Sequence, residues 1–252
     1  MAFKDGNGNI VISDESKILH DSFSVASSAT LSATETKITP SDGAASDNFG
    51  FKVAVGSGRI CVGAYNDDDD GNGSGSAYIF DLTGNQLAKI KASDGAINDY
   101  FGCSVAVGSG RICVGAFADD DDGSASGSAY IFDLDGTQLT KITASDAAAG
   151  DNFGFSVAVG SGRIVVGARR DDDSATSSGS AYIFDLDGTQ LAKITASDGG
   201  FNEFFGRSVA VGSGRICVGA YGDYSFQGSA YIYELSEDYS SYIEKIIETK
   251  QI

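Results

Sequence analysis

The sequence predicts an all-β fold, a β-propeller of four-stranded antiparallel blades, and three observations predict it. A stretch that opens with Phe49-Gly50 returns at Phe101, Phe153 and Phe205, a strict period of 52 residues in a chain of 252. Val-Gly-Ala closes the first half of each copy, starting at Val62, Val114, Val166 and Val218, in the same register. Each copy is rich in Val, Ile, Tyr and Phe, broken by Gly and Asp-Gly pairs, which is the composition of short strands joined by tight turns. Self-similarity at a period of about 50 residues marks a repeat architecture whose neighbours stack to make one core.

In chain order, residues 1–32 form an N-terminal arm outside the repeat, with short strands expected at 9–13 and 22–26. At Thr36 the text Thr-Lys-Ile-Thr-Pro-Ser-Asp falls in the register of Ala88-Lys89-Ile90-Lys91-Ala92-Ser93-Asp94, so the chain enters the repeat at its last strand. Within the first copy, strand A spans Phe51 to Gly56 and turns at Gly56-Ser57-Gly58. Strand B spans Arg59 to Ala64 and leads into an Asp-rich loop. Strand C spans Ser76 to Leu82 and turns at Thr83-Gly84, and strand D spans Gln86 to Ala92. Strands A to C are apolar on both faces, as blades packed face to face require.

The fourth copy departs from the pattern. Its B–C loop, Tyr221 to Gln227, is three residues shorter than the others. After strand C, Tyr239, Tyr242, Ile243, Ile246 and Ile247 recur at helical spacing behind a capping Ser236, which predicts an amphipathic C-terminal helix over 236–252. The fourth copy then lacks a strand D, and residues 33–39 offer a strand D without a blade. The expectation is a four-bladed propeller over 33–235, with strand 33–39 closing the last blade and removing two open edges. The alternative is five blades. In that count Gly6 to Val11 is laid on Gly56 to Cys61, residues 1–40 are a degenerate blade, and 242–246 is the fourth strand D.

A net charge of −18 repels nucleic acid and anionic lipid and excludes both as partners. No apolar run approaches the roughly 18 residues of a membrane span. The N-terminus shows no basic segment followed by an apolar one, so no secretory signal is recognised. A virion or an extracellular surface reached by another route is the expected location. Cys61, Cys113 and Cys217 occupy one repeat position that holds Val165 in the third copy, so they read as small buried hydrophobes. With Cys103 they are expected to be free thiols. The only histidine, His20, lies in the arm. No cysteine has a neighbouring base, and the carboxylates recur by symmetry rather than as one differentiated pair, so no catalytic residue is assigned.

The order Phe-Gly, apolar strand, Val-Gly-Ala, Asp-rich loop, Gly-Ser-Ala-Tyr resembles the FG-GAP repeat of the integrin α-subunit propeller and of many bacterial and viral surface proteins. The resemblance covers about four-fifths of the chain. It implies a propeller used for binding. In the integrin members a calcium loop lies between Phe-Gly and Gly-Ala-Pro. Here that interval holds only the Gly-Ser-Gly turn, so the family's calcium site is absent.

Strand order places the B–C loops and D–A connections on one face and the A–B and C–D turns on the other. The first face collects Asp67, Asp69, Asp119, Asp121, Asp171, Asp172, Asp173 and Asp223 as a candidate ligand face, with Asp42, Asp94, Asp146 and Asp198 beside them. Hard cations seek several oxygens at flexible spacing, and Asn66, Asp68 and Asp70, with Asp120 and Asp122 in the next copy, match the start of a calcium loop. Calcium is the one cofactor the pattern offers, and no acid closes the loops. Asp47, Asp99, Asp151 and Glu203, each two residues before Phe-Gly, are expected to fix turns through backbone amides. Tyr78, Tyr130, Tyr182 and Tyr231, at one strand position, are expected to pack between blades. The functional expectation is a non-enzymatic module for binding or assembly with protein partners, a structural or adhesive part of a virion or cell surface. A lectin-like propeller that binds surface glycans, with calcium assisting, is the alternative.

Overall fold

The computed structural model describes residues 2–4, 10–12 and 34–235. The chain divides into two compact units, Met1–Glu35 and Thr36–Ile252. In the first, β1 (Ala2–Lys4) pairs antiparallel with β2 (Ile10–Ile12), Phe3 opposite Val11. The strand expected at 22–26 and the helix expected over 236–252 lie outside the described residues.

The second unit is a set of antiparallel blades. Blade 1 is β3 (Lys52–Gly56), β4 (Arg59–Ala64), β5 (Ser76–Phe80) and β6 (Gln86–Ile90), in that order across the sheet. Blade 2 repeats it with β7 (Ser104–Gly108), β8 (Arg111–Ala116), β9 (Ser128–Phe132) and β10 (Gln138–Ile142). Blade 3 does so with β11 (Phe153–Gly160), β12 (Arg163–Ala168), β13 (Ser180–Phe184) and β14 (Gln190–Ile194). Blade 4 has β15 (Phe205–Gly212), β16 (Arg215–Ala220), a one-turn helix α1 (Asp223–Phe226) and β17 (Ser229–Glu234). The sequence-predicted strands match these within two residues at each end.

Each blade has two unlike faces because side chains alternate along a strand. In blade 1, Cys61, Ala77 and Ile79 point one way, and Val62, Tyr78 and Phe80 the other. The small-residue face packs on the large-residue face of the next blade. One core joins Cys61, Ala77, Ile79 and Ile90 to Val107, Val114, Tyr130 and Phe132, and the same set recurs between blades 2 and 3. The third core joins Val165, Ala181 and Ile183 to Phe205, Ile216 and Val218. The stacking is so close that a Cβ on Gly63, Gly115 or Gly167 would meet the carbonyl oxygen of Gly102, Gly154 or Gly206 in the following blade at 2.0, 1.9 and 1.9 Å. That contact explains the glycine of Val-Gly-Ala.

The Phe-Gly motif makes the same junction from the other side. Phe101 donates its backbone N–H to Ser74 O of blade 1 at 3.0 Å, and its ring meets Tyr130 and Phe132 of blade 2 edge-on at 5.4 and 5.9 Å. Gly102 has φ of +87°, which turns the chain out of that bridge and into strand A. On the opposite face Gly110, Gly162 and Gly214 donate to the hydroxyls of Ser57, Ser109 and Ser161 of the preceding blade, each at 3.2 Å.

Among the described residues the ring is open between blade 4 and blade 1. β17 pairs only with β16, and residues 34–39 form no strand. The closing strand expected over 33–39 is not seen among the described residues: Ile38 and Thr36 sit against Gly84 of blade 1 as Ile90 and Ala88 sit against Gly136, without pairing to β17. The residues after Leu235 lie outside the described residues. A Cβ on Gly212 meets nothing within 4 Å, and one on Gly219 meets only Ser208 of its own blade. Val53 and Val55 at one end are 68% and 71% exposed, and Ile232 at the other is 70% exposed.

Gly115→Ala and Gly167→Ala drive a methyl into a neighbouring backbone carbonyl and are expected to destabilise the fold by about 3 kcal/mol or more. Gly219→Ala, with no blade beyond it, is expected to cost less than half as much. Urea denaturation of the three variants checks the ranking.

Candidate functional site

The acidic face is held together by a lysine in each of the first three blades. Lys141 on β10 sits 3.0 Å from Asp119 and 2.5 Å from Asp121 of its own blade, and 2.7 Å from Asp94 of the blade before. Tyr130 donates its hydroxyl to both Asp94 and Asp119 at 2.9 Å. Lys89 repeats this with Asp42, Asp67 and Asp69 at 2.8, 3.0 and 2.7 Å, beside Tyr78. Lys193 repeats it with Asp146 at 2.6 Å, Asp171 at 3.0 Å and Asp173, beside Tyr182. In blade 4, Tyr231 donates to Asp198 at 2.8 Å and to Asp223 at 3.4 Å. The tyrosines pack between blades as expected, and their hydroxyls also bond across the junction.

These networks account for seven of the eight aspartates of the predicted ligand face, all but Asp172. Asp67, Asp119, Asp171 and Asp223 are buried with their carboxylates bonded, whereas Asp69, Asp121 and Asp173 are exposed but reach the lysines. Burial opposes ionisation of Asp94 and Asp146, but bonds from lysine and tyrosine outweigh it and hold both below the usual carboxylate range. The Lys89 bond is the largest cause of the same shift in Asp42. Although burial alone would lower them, Lys89, Lys141 and Lys193 are held above the ordinary lysine value by their carboxylates.

The residues matched to a calcium loop do not converge. Asp68 and Asp120 accept Gly73 and Ala125 N–H at 2.9 and 2.7 Å, as Asp172 accepts Ser177 N–H at 2.6 Å. Asn66 donates to Ser46 O, Asp70 pairs with Lys91 at 2.8 Å, and Asp122 is exposed. Two other carboxylate triads do converge within 4.8 Å, Asp94-Asp119-Asp121 and Asp146-Asp171-Asp173. The ammonium of Lys141 or Lys193 stands where a cation would stand, so the donor set as folded does not fit a metal. Asp47, Asp99 and Asp151 accept Ala44, Ala96 and Ala148 N–H at 2.6, 2.7 and 2.8 Å, the turn-fixing role expected of them. Cys61, Cys103, Cys113 and Cys217 are free. Burial raises the thiols of Cys61 and Cys113 to about 12 and that of Cys103 to about 11.

A second site lies at the axis, where the starts of the four A strands meet. It is a cavity of about 740 Å³, lined by Phe51, Lys52, Tyr65, Phe117, Phe155 and Arg207 together with Tyr221 and wall residues of strand A. Its aromatic rings form a chain. Phe51 lies 4.4 Å from Tyr65, Tyr100 links Tyr65 to Phe117, and Phe117 lies 5.6 Å from Phe155. Arg169 stands 3.8 Å over Phe155 and Arg207 5.4 Å over it, and Arg207 lies 4.5 Å over Tyr221. Burial, followed by the charges of Arg170 and Arg207, brings Arg169 down to about 10. The sequence reading missed this site. Its signal was two repeat positions that are not uniform among the copies, the residue after Phe-Gly and the residue after Val-Gly-Ala.

A family model described as FG-GAP repeat matches the chain four times, over residues 33–80, 85–132, 137–184 and 189–233. Each match runs from strand D of one blade position to strand C of the next, so the family unit spans a blade junction. No curated protein matches the sequence. Among solved structures, BamB from Moraxella catarrhalis is similar over 72% of this chain and 42% of that one, at 13% identity and a TM-score of 0.44. This chain thus spans less than half the length of that protein.

Lys141→Met leaves three carboxylates without their cation and is expected to cost roughly 3 kcal/mol. Millimolar calcium should recover part of that loss in the variant and leave the wild-type melting temperature unchanged. A separate pH effect follows from Asp99 and Asp151, which burial raises from 3.8 to about 6. The folded state then takes up their protons before the unfolded state does, so stability increases as pH falls from above 6 towards 4. Asp42, Asp94 and Asp146 are lowered, and the stability they contribute is lost as pH falls below 3.8. The melting temperature is expected to peak between about pH 4 and 6. Asp99→Asn with Asp151→Asn should flatten the limb above the peak.

Proposed function

The chain belongs to the FG-GAP repeat family, and on that premise we propose that it is a non-enzymatic binding and assembly module, a structural or adhesive component of a virion or cell surface. One observation carries this reading: among the described residues the two ends of the blade stack are uncovered and match one another. At one end blade 4 presents Ala210, Cys217, Ala230 and Ile232, the residues that its counterparts bury under the next blade. At the other end blade 1 presents Val53 and Val55, whose counterparts Val105 and Val107 pack into the preceding blade.

The occupant these faces fit is a second copy of the chain. Blade 4 of one copy would continue onto blade 1 of the next as blade 1 continues onto blade 2, the interface already present three times within the chain. Such a contact is head-to-tail, and it extends or closes according to its rotation. Exposed apolar sheet faces of this kind mark interaction surfaces rather than ordinary protein exterior. Among the described residues no helix is long and apolar enough to cross a membrane, which agrees with docking through proteins. A second reading, a lectin-like module, is favoured by the aromatic walls of the axial cavity.

Sedimentation velocity of the full chain should show oligomers that grow with concentration. Cys217 should react rapidly with maleimide in dilute protein and become protected in concentrated protein, while Cys61, Cys103 and Cys113 stay unreactive throughout. Ile232→Asp and Val55→Asp should each abolish association without lowering the melting temperature. A chain that stays monomeric at high concentration with Cys217 fully reactive would overturn the reading.

A further inference from the structure

The four copies share most of their strand text and differ in the B–C loops, in the D–A connections and at two positions that face the axis. Val-Ala-Val-Gly-Ser-Gly-Arg-Ile is identical in all four, starting at Val53, Val105, Val157 and Val209. The position after each Phe-Gly reads Phe, Cys, Phe and Arg, and the position after each Val-Gly-Ala reads Tyr, Phe, Arg and Tyr. Packing between blades sets no such requirement, because the residues in the junctions do not vary in this way. Seven of these eight positions, all but Arg169, line the axial cavity and make it one asymmetric site built from four near-identical parts.

Its charge is opposite to that of the chain. Lys89, Lys141, Lys193, Arg59, Arg111 and Arg215 each have a carboxylate within 4.0 Å. Among the described residues the cavity's Lys52 and Arg207 have none, as is also true of Lys37, Arg163, Arg169 and Arg170, although the protein carries a net charge of −18. Two guanidinium groups lie over one ring, Phe155, and their like charges favour an anion beside them. Arginine is suited to that task because its fork binds a carboxylate through two bonds.

The remaining walls set the class of anion. Phe51, Tyr65 and Phe117 offer aromatic surface for an apolar ring face. Ser104 and Ser156 already donate their hydroxyls to Gly154 O and Gly206 O, both at 2.7 Å, so towards the cavity they can only accept. Hydroxyl donors, an apolar ring face and a negative charge coexist in one kind of small molecule. We propose that the axial cavity binds an acidic saccharide, with its carboxylate on Arg207 and Lys52 and its ring against Tyr65 and Phe117. The cavity volume of about 740 Å³ lies within the ~300–1,000 Å³ usual for small-ligand sites. This proposal is independent of the end faces and stands even if the chain proves monomeric.

The test is calorimetric titration of the full chain with galacturonate, and with galactose, benzoate and sulfate as separate probes. Galacturonate should bind, and each of the other three should bind at least about tenfold more weakly. Arg207→Gln and Lys52→Gln change exposed side chains, so they should keep the melting temperature. Arg207→Gln should weaken galacturonate by about tenfold or more, and Lys52→Gln by less. Arg163→Gln, on the far side of the blades, should change nothing. Galactose binding as well as galacturonate would overturn the proposal, because the cations would then be idle. Sulfate or benzoate binding equally well would reduce the cavity to a simple anion or aromatic-acid site. Unchanged affinity in Arg207→Gln would remove the site from the axis altogether.

Discussion

The contact on which this structure depends is the approach of one blade's Val-Gly-Ala glycine to the next blade's Phe-Gly carbonyl. Nothing larger than hydrogen fits there, since a Cβ would come within 2.0 Å of the oxygen at each of the three junctions. That approach brings whole sheets together, and it works only if one face carries small side chains and the other large ones. Ala77 and Cys61 thus make room for Tyr130 and Phe132 of the next blade. The two defining motifs of the repeat are two halves of one junction, which is why the family unit runs across blades rather than within one.

Polar groups follow the same logic. A junction this close buries Asp67, Asp119 and Asp171, and buried carboxylates need partners. The blade itself supplies a tyrosine and a lysine, and the same two groups also bind an aspartate that precedes the blade. The network therefore forms only when two blades are in place and opposes sliding of one past another. Much of the negative charge that a residue count assigns to this face is neutralised locally. The reverse case lies in the axial cavity, where Lys52 and Arg207 have no carboxylate within 4.0 Å among the described residues.

The strands were legible in the sequence because apolar periodicity and Gly-rich turns report local conformation. The register was legible because four copies fix it. The lysine networks were not, since Asp94 and Lys141 are 47 residues apart and belong to different blades. Lys141 alone reads as the solvent side of an edge strand. Cys217 shows the same limit. Its flanking sequence, Arg-Ile-Cys-Val-Gly-Ala, is identical to that of Cys113, yet Cys113 is buried and Cys217 exposed. What buries a blade face comes from the next blade, and no local pattern states whether a next blade exists. The closing strand at 33–39 was inferred from register alone, and register also fits a segment that lies on blade 1 without pairing to β17.

Repetition and function pull the sequence in opposite directions here. A junction tolerates little change, so the four copies are held alike wherever blades meet. A single ligand at the axis has no four-fold symmetry, so identical copies would present it with four equal quarters and no preferred orientation. The positions that escape the junction are those at the starts of the A strands and just beyond the B strands. Most of them line the axial cavity, and within the blades they are the positions that differ between copies. Arg207 and Phe155 occupy one repeat position in adjacent blades and meet as cation and ring, a contact that four equal copies could not make. The uniform part of the repeat thus builds the frame, and its few variable positions give the axis a direction.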